Sequence, residues 1–484
     1  MKPSHPSPLI PLPIQGRGRF IRVNYTVSWL YDSLIHPNWR APLFARIAVV
    51  GFLLFSSVTL TAAPMTRELA QAETLRPFKG ESVHGVDTST LAGKVMCGYQ
   101  GWFNAQGDGA ERGWVHWTKR RESFGTNDAK IDLWPDVSEL GADERFATGF
   151  KFADGRAAEV YSPFKRETVL RHFQWMRDYG IDGAFVQRFI ADVHEPRALR
   201  HNNTVLAHCR EGANKFGRAY CVMYDLSGLG AGRIQEVMDD WRSLHMQMRV
   251  TEDPAYLHHR GHPLVAVWGV GFNDRRRYTL AECKQLVEFL KADGCSVMLG
   301  VPTGFRELNR DAVKDPELQE VIKLADVVSP WTVGRYRNPG EATRHGEQIW
   351  KPDVAWCAER KVDFLPVVFP GFSWFNMTER QFNAIPRLKG EFMWSQFVAA
   401  KRAGATMIYV AMFDEVDEGT AIFKCLNDVP AGGKAKFVTL EGLPSDYYLR
   451  LTDYGGRLLR GELPVTEAMP AYRPPKPAEN QPQK

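Results

Sequence analysis

The sequence lacks cysteines in any paired arrangement. Its seven cysteines are an odd number, and none has Cys-x-x-Cys spacing. Cys97, Cys221 and Cys295 lie in apolar runs, where a free cysteine behaves as a small hydrophobic side chain. We therefore expect neither a disulfide framework nor a structural zinc ion.

Long runs of one charge are also missing. The net charge is only +5 over 484 residues, and no long basic run occurs. Nucleic-acid binding needs a concentrated positive patch, because most of its affinity comes from phosphate contacts. The sequence therefore gives no support for a nucleic-acid partner.

Two motifs that would bring a cofactor or a metal are absent. Residues 98–101 (GYQG) follow the first apolar run but lack the spacing of a dinucleotide-binding loop. Residues 258–262 (HHRGH) fit no standard metal site, so we interpret them as a loop. We predict no cofactor and no metal ligands.

The clearest long apolar run lies near the start of the chain. Residues 47–63 read IAVVGFLLFSSVTLTAA and follow Arg40 and Arg46. This pattern is typical of a secretory signal, with small residues near the cleavage point. An uncleaved membrane anchor is the alternative, although the run is slightly short for a span. Either interpretation of this leader (1–63) predicts a periplasmic or extracellular protein, with a membrane contact only if the segment stays uncleaved.

After residue 90, eight apolar strand-like runs alternate with amphipathic, helix-like stretches. The strand-like runs are 95–103, 183–189, 219–226, 264–270, 296–301, 327–333, 364–369 and 407–414. The helix-like stretches are 164–179, 200–216, 233–248, 279–293, 316–325, 341–360 and 391–403. Eight such repeats predict an α/β fold, a closed (β/α)8 TIM barrel over residues 94–428. A doubly wound open sheet is the alternative, but no phosphate-binding loop follows the first strand.

The remaining segments are assigned by composition and pattern. Residues 64–93 are predicted to be a linker, and 466–484 a disordered tail rich in Pro, Lys and Gln. Residues 429–465 are predicted to form a small β appendage, because 447–451 (YYLRL) is followed by the turn-like 453–456 (DYGG). The connection after the first strand, 104–163, is unusually long for a barrel. It is either a wall of a cleft or a small packing subdomain.

Polar and aromatic residues recur at the predicted carboxyl ends of the strands, where barrel proteins build their sites. The candidate substrate-binding residues are Tyr99, Gln100, Trp102, Gln187, Arg188, Tyr224, Asp225, Trp268, Trp331 and Trp374. The aromatic rings could stack on sugars, although each alone is more often a core residue. The amide and guanidinium groups could bind hydroxyls, and a salt-bridged arginine is the alternative for Arg188.

Four carboxylates follow the last apolar run within five residues. They are Asp414, Glu415, Asp417 and Glu418, and Gly419 comes next. Clustered acids at the end of a buried strand are costly unless they face a cleft, bind a cation or take part in chemistry. Two carboxylates are also what acid/base chemistry on sugars requires. A solvated or helix-capping turn and a calcium site remain alternatives, although the spacing matches no known calcium loop.

The barrel pattern together with residues 413–420 (FDEVDEGT) resembles glycoside hydrolase family 99 and its neighbour, family 71. Family 99 contains endo-α-mannosidases and endo-α-mannanases on a (β/α)8 barrel. Its motif at the end of strand 8 is approximately Asn-Glu-Trp-x-Glu-Gly-Thr, so Glu415 and Glu418 match its glutamates, and Asp414 and Val416 replace its Asn and Trp. Residues 98–103 (GYQGWF) and 370–372 (PGF) look like its strand-1 and strand-7 sites, and the resemblance spans about residues 94 to 425.

The resemblance implies a retaining glycoside hydrolase that acts on an oligo- or polysaccharide with α-linkages, such as α-mannan. It implies that Glu415 is the general base on the 2-hydroxyl of the sugar, which attacks its own anomeric carbon. Glu418 would protonate the leaving oxygen and then activate water, and Asp414 would lie beside the substrate. Asp225 with Glu415 is a second candidate catalytic pair, in an ordinary double displacement. A non-catalytic glycan-binding barrel is the alternative from another class, motivated by Asp414 and Val416.

Overall fold

The computed structural model describes residues 64–473. The predicted leader, 1–63, and the end of the predicted tail, 474–484, lie outside the described residues. The strands are β1 (Val95–Tyr99), β2 (Arg145–Lys151), β3 (Ala157–Tyr161), β4 (Gly183–Phe189), β5 (Ala219–Asp225), β6 (His258–His259), β7 (His262–Trp268), β8 (Ser296–Pro302), β9 (Val327–Trp331), β10 (Asp363–Phe364), β11 (Val367–Val368) and β12 (Ile408–Val410). The α-helices are α1 (Arg67–Thr74), α2 (Arg166–Asp178), α3 (Pro196–Phe216), α4 (Gln235–Ser243), α5 (Leu280–Ala292), α6 (Glu317–Leu324), α7 (Pro339–His345), α8 (Lys351–Glu359), α9 (Phe375–Thr378), α10 (Glu391–Ala403) and α11 (Tyr447–Leu459).

The parallel strands form a ring. Their order is β10-β9-β8-β7-β5-β4-β1-β12-β11, and all of these pairings are parallel. Only Leu365 and Pro366 separate β10 from β11, so the two short segments are halves of one strand. The first half pairs with β9 and the second with β12, which closes the ring. The predicted (β/α)8 barrel is therefore confirmed.

The strands were recognisable in the sequence because they are covered on both faces. All seven residues of β5 and of β8 are buried. Parallel strands of this kind read as continuous apolar runs instead of alternating ones. Helix boundaries follow local signals, as at α5, where Thr279 and Glu282 form a reciprocal capping box.

The predicted C-terminal β appendage is wrong, because residues 447–459 form helix α11. The sequence YYLRLTDYGG was interpreted as a strand and a turn, but its large residues recur at helical spacing and face α10. A Cβ atom added at Gly455 would collide with the ring of Phe397 on α10. This glycine therefore serves close helix packing and not chain reversal.

The predicted linker and tail are partly ordered against the barrel. Residues 67–74 form α1, in which Ala70 is fully buried, and Thr74 accepts a hydrogen bond from Asn203 Nδ2 on α3 at 2.9 Å. At the other end, Trp394 Nε1 on α10 donates to the carbonyl of Thr466 at 3.1 Å. Helix packing therefore extends beyond the predicted barrel boundaries on both sides.

The long connection 104–163 combines its two predicted roles. It contains the antiparallel hairpin β2–β3 and an aromatic cluster in which Trp117 and Trp134 are completely buried. Phe437, from the chain after the barrel, packs on Trp134 with a ring separation of 5.1 Å. One edge of this subdomain also reaches the acidic motif, through His116, Asp132 and Leu133.

All seven cysteines lie in the described part of the chain, where they are buried and unpaired. Between residues 64 and 473, no helix has the length and apolar character needed to cross a membrane.

Candidate active site

The acidic motif is a loop and not the end of a strand. β12 stops at Val410, three residues before Phe413, whose N–H still donates to the carbonyl of Gly98 at 2.8 Å. The carboxylate of Asp414 accepts from the backbone N–H groups of Gln100 at 2.7 Å and Gly101 at 2.9 Å. Burial raises the pKa of Asp414 to about 7. Asp414 thus ties the motif to the end of β1, and its two oxygens are already occupied by protein donors.

Glu415 is buried, and both of its carboxylate oxygens accept a hydrogen bond. Gln100 Nε2 lies 2.5 Å from Oε1, and Thr420 Oγ1 lies 2.6 Å from Oε2. Burial and the neighbouring Asp417 raise the pKa of Glu415 to about 8, while the two donors oppose this shift. Hydrogen bonds of this kind favour the charged form of a carboxylate.

Glu418 has the opposite environment. Its side chain is partly exposed, and within residues 64–473 its carboxylate has no protein hydrogen-bond partner. Burial, followed by the charges of Glu415, Asp417 and Asp225, holds its pKa well above the usual value. The environment of Glu418 therefore favours a protonated acid that faces open space.

Asp417 connects the motif to the long connection. Its Oδ2 lies 3.0 Å from His116 Nδ1, and the His116 ring stacks on Trp102 at a centroid distance of 3.8 Å. Burial raises the pKa of Asp417 to about 7, and burial lowers the pKa of His116 to about 3, so the imidazole is neutral. His116 also has a φ of 62°, a conformation that few non-glycine residues adopt. The sequence offered no partner for His116, because Asp417 lies 301 residues away.

Four buried or partly buried acids in one turn cannot all be ionised at neutral pH. Each carboxylate disfavours the charge of its neighbours, and burial adds to the cost. The motif therefore holds protons that are shared among its members. In the part of the chain that the structure describes, no group of three or more His, Cys, Asp or Glu residues is arranged to hold a metal ion.

The strand pleat divides the predicted substrate-binding residues into two layers. Along a strand, successive side chains point to opposite faces, so neighbours in sequence diverge. One set points into the barrel and is here called the lumen layer; it comprises Gln100, Gln187, Asp225, Trp268 and Trp331. The other set points toward the helices and is called the outer layer; it comprises Tyr99, Arg188 and Tyr224.

The lumen layer surrounds Tyr409, which lies within the last strand and is therefore not marked by the strand-end pattern. Gln187 Nε2 donates to Tyr409 Oη at 3.1 Å, and the ring of Trp331 lies 5.9 Å from that of Tyr409. Trp268 packs edge-on against Trp331 at 5.5 Å. A Cβ atom added at Gly98 would collide with the Tyr409 hydroxyl. The Tyr409 side chain therefore lies on the lumen side of β1. Tyr409 forms the floor of the barrel mouth.

Asp225 belongs to the same layer and lies two residues after Met223. The sulfur of Met223 lies 3.3 Å from Gln187 Nε2. Asp225 Oδ1 accepts from the N–H of Ser227 at 2.7 Å, and burial raises its pKa, opposed mainly by the charge of Arg276. Arg276 in turn covers a face of Trp268, with its guanidinium carbon 4.8 Å from the ring centre.

The outer layer is engaged in packing the helices and does not reach the mouth, so its assignment to substrate binding is wrong. Tyr99 Oη lies 2.9 Å from His172 Nδ1 on α2. Arg188 donates to both oxygens of Asp240 on α4, at 2.5 and 2.6 Å, and Tyr224 Oη donates to the same carboxylate at 2.8 Å. The alternative of a salt-bridged arginine therefore holds for Arg188.

Trp102 and Trp374 lie in loops at the mouth, but their faces are largely covered by protein. His116 stacks on Trp102, and the ring of Phe189 lies 4.9 Å from it. Trp374 is only 5% exposed and packs near Phe372 at 6.2 Å. Both indole N–H groups are buried and lack a partner among the described residues, so neither ring is set up as a free stacking face for a sugar.

Cavity size does not point to this site. A cavity of about 640 Å³ lies at the amino-terminal end of the barrel, lined by residues 82–89 and by Arg218. A second, of about 330 Å³, is lined by Phe272 and Tyr278 in the segment after β7. Neither contains a residue of the acidic motif, so the site is assigned on its chemistry.

No protein-family model and no curated protein match the chain. Among solved structures, it is similar to the family 99 endo-α-mannosidase of Bacteroides thetaiotaomicron, with 17% identity, 77% of this chain and 99% of that chain covered, and a TM-score of 0.56. The complex of the Bacteroides thetaiotaomicron enzyme with Bis-Tris propane matches at the same identity and coverage, with a TM-score of 0.57. The resemblance in the sequence is thus confirmed at the level of the fold: the chain has a (β/α)8 barrel similar to that of this family 99 enzyme.

Proposed function

We propose that the protein is a retaining glycoside hydrolase that cleaves α-linked glycans such as α-mannan. Glu415 acts as the general base and Glu418 as the general acid and then base. The fold it shares with a family 99 endo-α-mannosidase supports this class of reaction. Both glutamates match the family motif and lie in the loop that follows the last barrel strand.

The unequal hydrogen bonding of the two glutamates is the observation that carries the proposal. Glu415 receives two donors, Gln100 and Thr420, which oppose the rise in its pKa, so of the two glutamates it loses its proton first and becomes the carboxylate that accepts one. Glu418 receives none from the described residues, and the charges of its neighbours favour a proton-bearing acid. Catalysis at a glycosidic bond needs one group of each kind.

In the first step, Glu415 takes the proton of the 2-hydroxyl while that oxygen bonds to the anomeric carbon. The bond from this carbon to the leaving oxygen breaks, and the leaving oxygen takes the proton of Glu418. In the second step, Glu418 removes a proton from water, which attacks the anomeric carbon. The 2-oxygen is displaced and recovers its proton from Glu415, so two inversions give net retention.

The lumen layer supplies the groups that would hold the sugar. Trp331 is the partly exposed ring of this layer, so it is the candidate for stacking. Gln187 Oε1 and Trp268 Nε1 have no hydrogen-bond partner within the described chain, and sugar hydroxyls would provide one. These groups are set on barrel strands, which hold a site more rigidly than loops.

The proposal is tested by hydrolysis of a panel of plant, fungal and algal polysaccharides. Wild type should release sugar of the same anomeric configuration as the cleaved linkage, observed by NMR. Glu415→Gln and Glu418→Gln should each lose about 10²- to 10⁴-fold in kcat. Glu347→Gln, an exposed change on the outer face, is the matched control and should be unaffected. Wild-type activity in both site variants would overturn the assignment.

Two alternatives are decided by the same panel. Asp225→Asn is included because Asp225 lies in the lumen layer and its charge contributes to the raised pKa of Glu418. If it abolishes activity while Glu418→Gln does not, Asp225 and Glu415 form the catalytic pair. Tight glycan binding without turnover on every member would favour a non-catalytic binding barrel.

We also propose that the protein is exported, on the basis of residues 47–63, which lie outside the described residues. Expression of the whole chain, cell fractionation and N-terminal sequencing of the product test this. Processing near residue 63 supports a cleaved signal, and an unprocessed protein in the membrane fraction supports an anchor. An unprocessed protein in the cytoplasm contradicts both.

A further inference from the structure

Asp132 of the long connection 104–163 is completely buried next to the acidic motif. Residues 414–418 of this motif are called the catalytic turn below. Its Oδ2 accepts from Ser373 Oγ at 2.5 Å and from the N–H of Phe375 at 2.8 Å. Its Oδ1 accepts from the N–H of Asn376 at 2.8 Å. Asp132 therefore fixes the chain that follows β11, although it comes from a different loop.

The same segment holds the acidic motif by its backbone. The N–H groups of Asp132 and Leu133 both donate to the carbonyl of Val416, at 2.9 and 3.1 Å. The N–H of Ser373, whose hydroxyl is bonded to Asp132, donates to the carbonyl of Glu418 at 2.9 Å. Two carbonyls of the catalytic turn are thus anchored to one small group of residues.

A third segment, which follows the barrel and contains Lys436 and Val438, is bonded to the same residues. Asn376 Nδ2 donates to the carbonyls of Ile131 at 2.6 Å and Lys436 at 2.7 Å, and the N–H of Val438 donates to the carbonyl of Asp132 at 2.7 Å. Burial raises the pKa of Asp132 to about 6, and the hydrogen bonds from Ser373, Asn376 and Phe375 oppose this shift. A buried carboxylate with this many donors is a centre of local order, because losing it leaves several donors unpaired.

We infer that Asp132 is a positioning residue for the glycosidase reaction, which sets the separation and orientation of Glu415 and Glu418 through Ser373 and Val416. This inference rests on the proposed function and assigns to the long connection a role in catalysis beyond its packing. Asp132 touches neither glutamate side chain. It acts on the backbone that carries them.

Asp132→Asn tests the role with little change in volume. Asparagine keeps one acceptor but points an N–H₂ donor at a backbone donor, so the anchor loosens. Since a misplacement of about 1 Å at reacting groups can cost about 100-fold in rate, we expect kcat to fall about 10- to 100-fold with KM nearly unchanged. The pH optimum should shift as well, because the coupling between the two glutamates depends on their separation. Ser373→Ala should show a smaller effect, and the double variant should be no worse than Asp132→Asn.

Asp311 offers a matched control. It is equally buried and accepts from Thr303 Oγ1 at 3.0 Å, from the N–H of Gly304 at 2.9 Å and from Arg335 Nε at 2.7 Å, but none of its contacts belongs to the acidic motif or to the chain that bears Ser373. Asp311→Asn should lower the melting temperature as Asp132→Asn does, while the kcat and pH optimum of the folded protein stay at wild-type values. Equal loss of kcat in both variants, or none in Asp132→Asn, overturns the inference.

A crystal structure of Asp132→Asn decides the question independently of activity. Displacement of the backbone from Val416 to Glu418 supports the positioning role. An unmoved turn overturns it, whatever the assays show. Failure of the proposed function looks different, since Glu415→Gln and Glu418→Gln would then hydrolyse glycans as wild type does.

Discussion

The lumen layer and the outer layer of the barrel contain similar residue types but use them differently. Gln187 and Arg188 are adjacent on β4, yet one meets Tyr409 in the barrel mouth and the other meets Asp240 on α4. The outer side chains are bonded to residues on the helices, Tyr99 to His172 and both Arg188 and Tyr224 to Asp240, although Arg188 Nη1 has no partner in the described chain. In the lumen layer of the described chain, Gln187 Oε1 and Trp268 Nε1 have none. A polar residue at the end of a barrel strand is therefore a site candidate only if its position in the pleat directs it inward.

The largest expected effect concerns the two glutamates beside the lumen layer. On an aryl glycoside with a good leaving group, little acid assistance is needed for the first step, so Glu418→Gln should retain far more kcat/KM, which reports that step, than Glu415→Gln. On a natural glycan, both should lose about 10²- to 10⁴-fold in kcat. Steady-state kinetics of both variants on the two substrates measure the difference. Equal losses by Glu415→Gln and Glu418→Gln on the aryl glycoside would contradict the assigned roles.

The outer layer should affect stability and not chemistry. Arg188→Met leaves the buried Asp240 without its charged partner and with only the Tyr224 hydroxyl as a donor, and breaking a buried ion pair typically costs about 3–5 kcal/mol of unfolding free energy. Chemical denaturation measures this cost, while kcat per folded molecule should remain within about twofold of wild type, since the outer layer makes no contact in the mouth. Arg156→Met is the control, because both side chains of its ion pair with Asp154 are exposed and such pairs contribute about 0–1 kcal/mol. A large loss of kcat in Arg188→Met would break the distinction between the layers.

The acidic motif should make the protein less stable as pH rises. Burial and the charges of Glu415, Asp417 and Asp225 hold the pKa of Glu418 well above its value of about 4.3 in an unfolded chain. Above pH about 4 the unfolded state releases a proton that the folded state retains, so stability from this group is full below pH about 4 and is lost as pH rises. Glu418→Gln should therefore gain stability relative to wild type as pH rises above about 4. Denaturation at several pH values tests the sign, and a constant difference would contradict it.

The smallest expected effect is at the stacking candidate. Trp331→Ala should raise KM about tenfold, equivalent to about 1.4 kcal/mol of lost binding, with a smaller change in kcat. Trp356→Ala, on α8, removes a partly exposed ring outside the barrel and should leave KM unchanged. Equal effects of the two changes would remove Trp331 from the site.

The barrel could be predicted from the sequence because its signals are local. Doubly covered strands give apolar runs, and the intervening helices give a 3.6-residue pattern, so β4 was placed at its observed limits. α11 was missed because two adjacent glycines were interpreted as a turn, whereas Gly455 accommodates the Phe397 ring. Tyr99, Arg188 and Tyr224 were misplaced because the pleat was not applied to the strand ends, although that information was present.

The interactions that build the site are different, because they join distant parts of the chain. His116 meets Asp417 across 301 residues, and Asp132 meets Ser373 across 241. No local pattern around His116 or Asp132 distinguishes them from other polar residues of a long loop. Only the closed barrel brings the first and last strands together and makes such contacts possible.

The divided seventh strand also has a consequence for how the protein fails on heating. β10 and β11 contribute two residues each to the ring, and Pro366 between them has no N–H to donate. The barrel is therefore held by fewer backbone bonds here than at β5, and amide hydrogen exchange should be fastest along this seam. The seam leads directly into the chain that bears Ser373, so local opening would release the catalytic turn first. We expect activity to disappear at a lower temperature than the circular dichroism signal of the barrel.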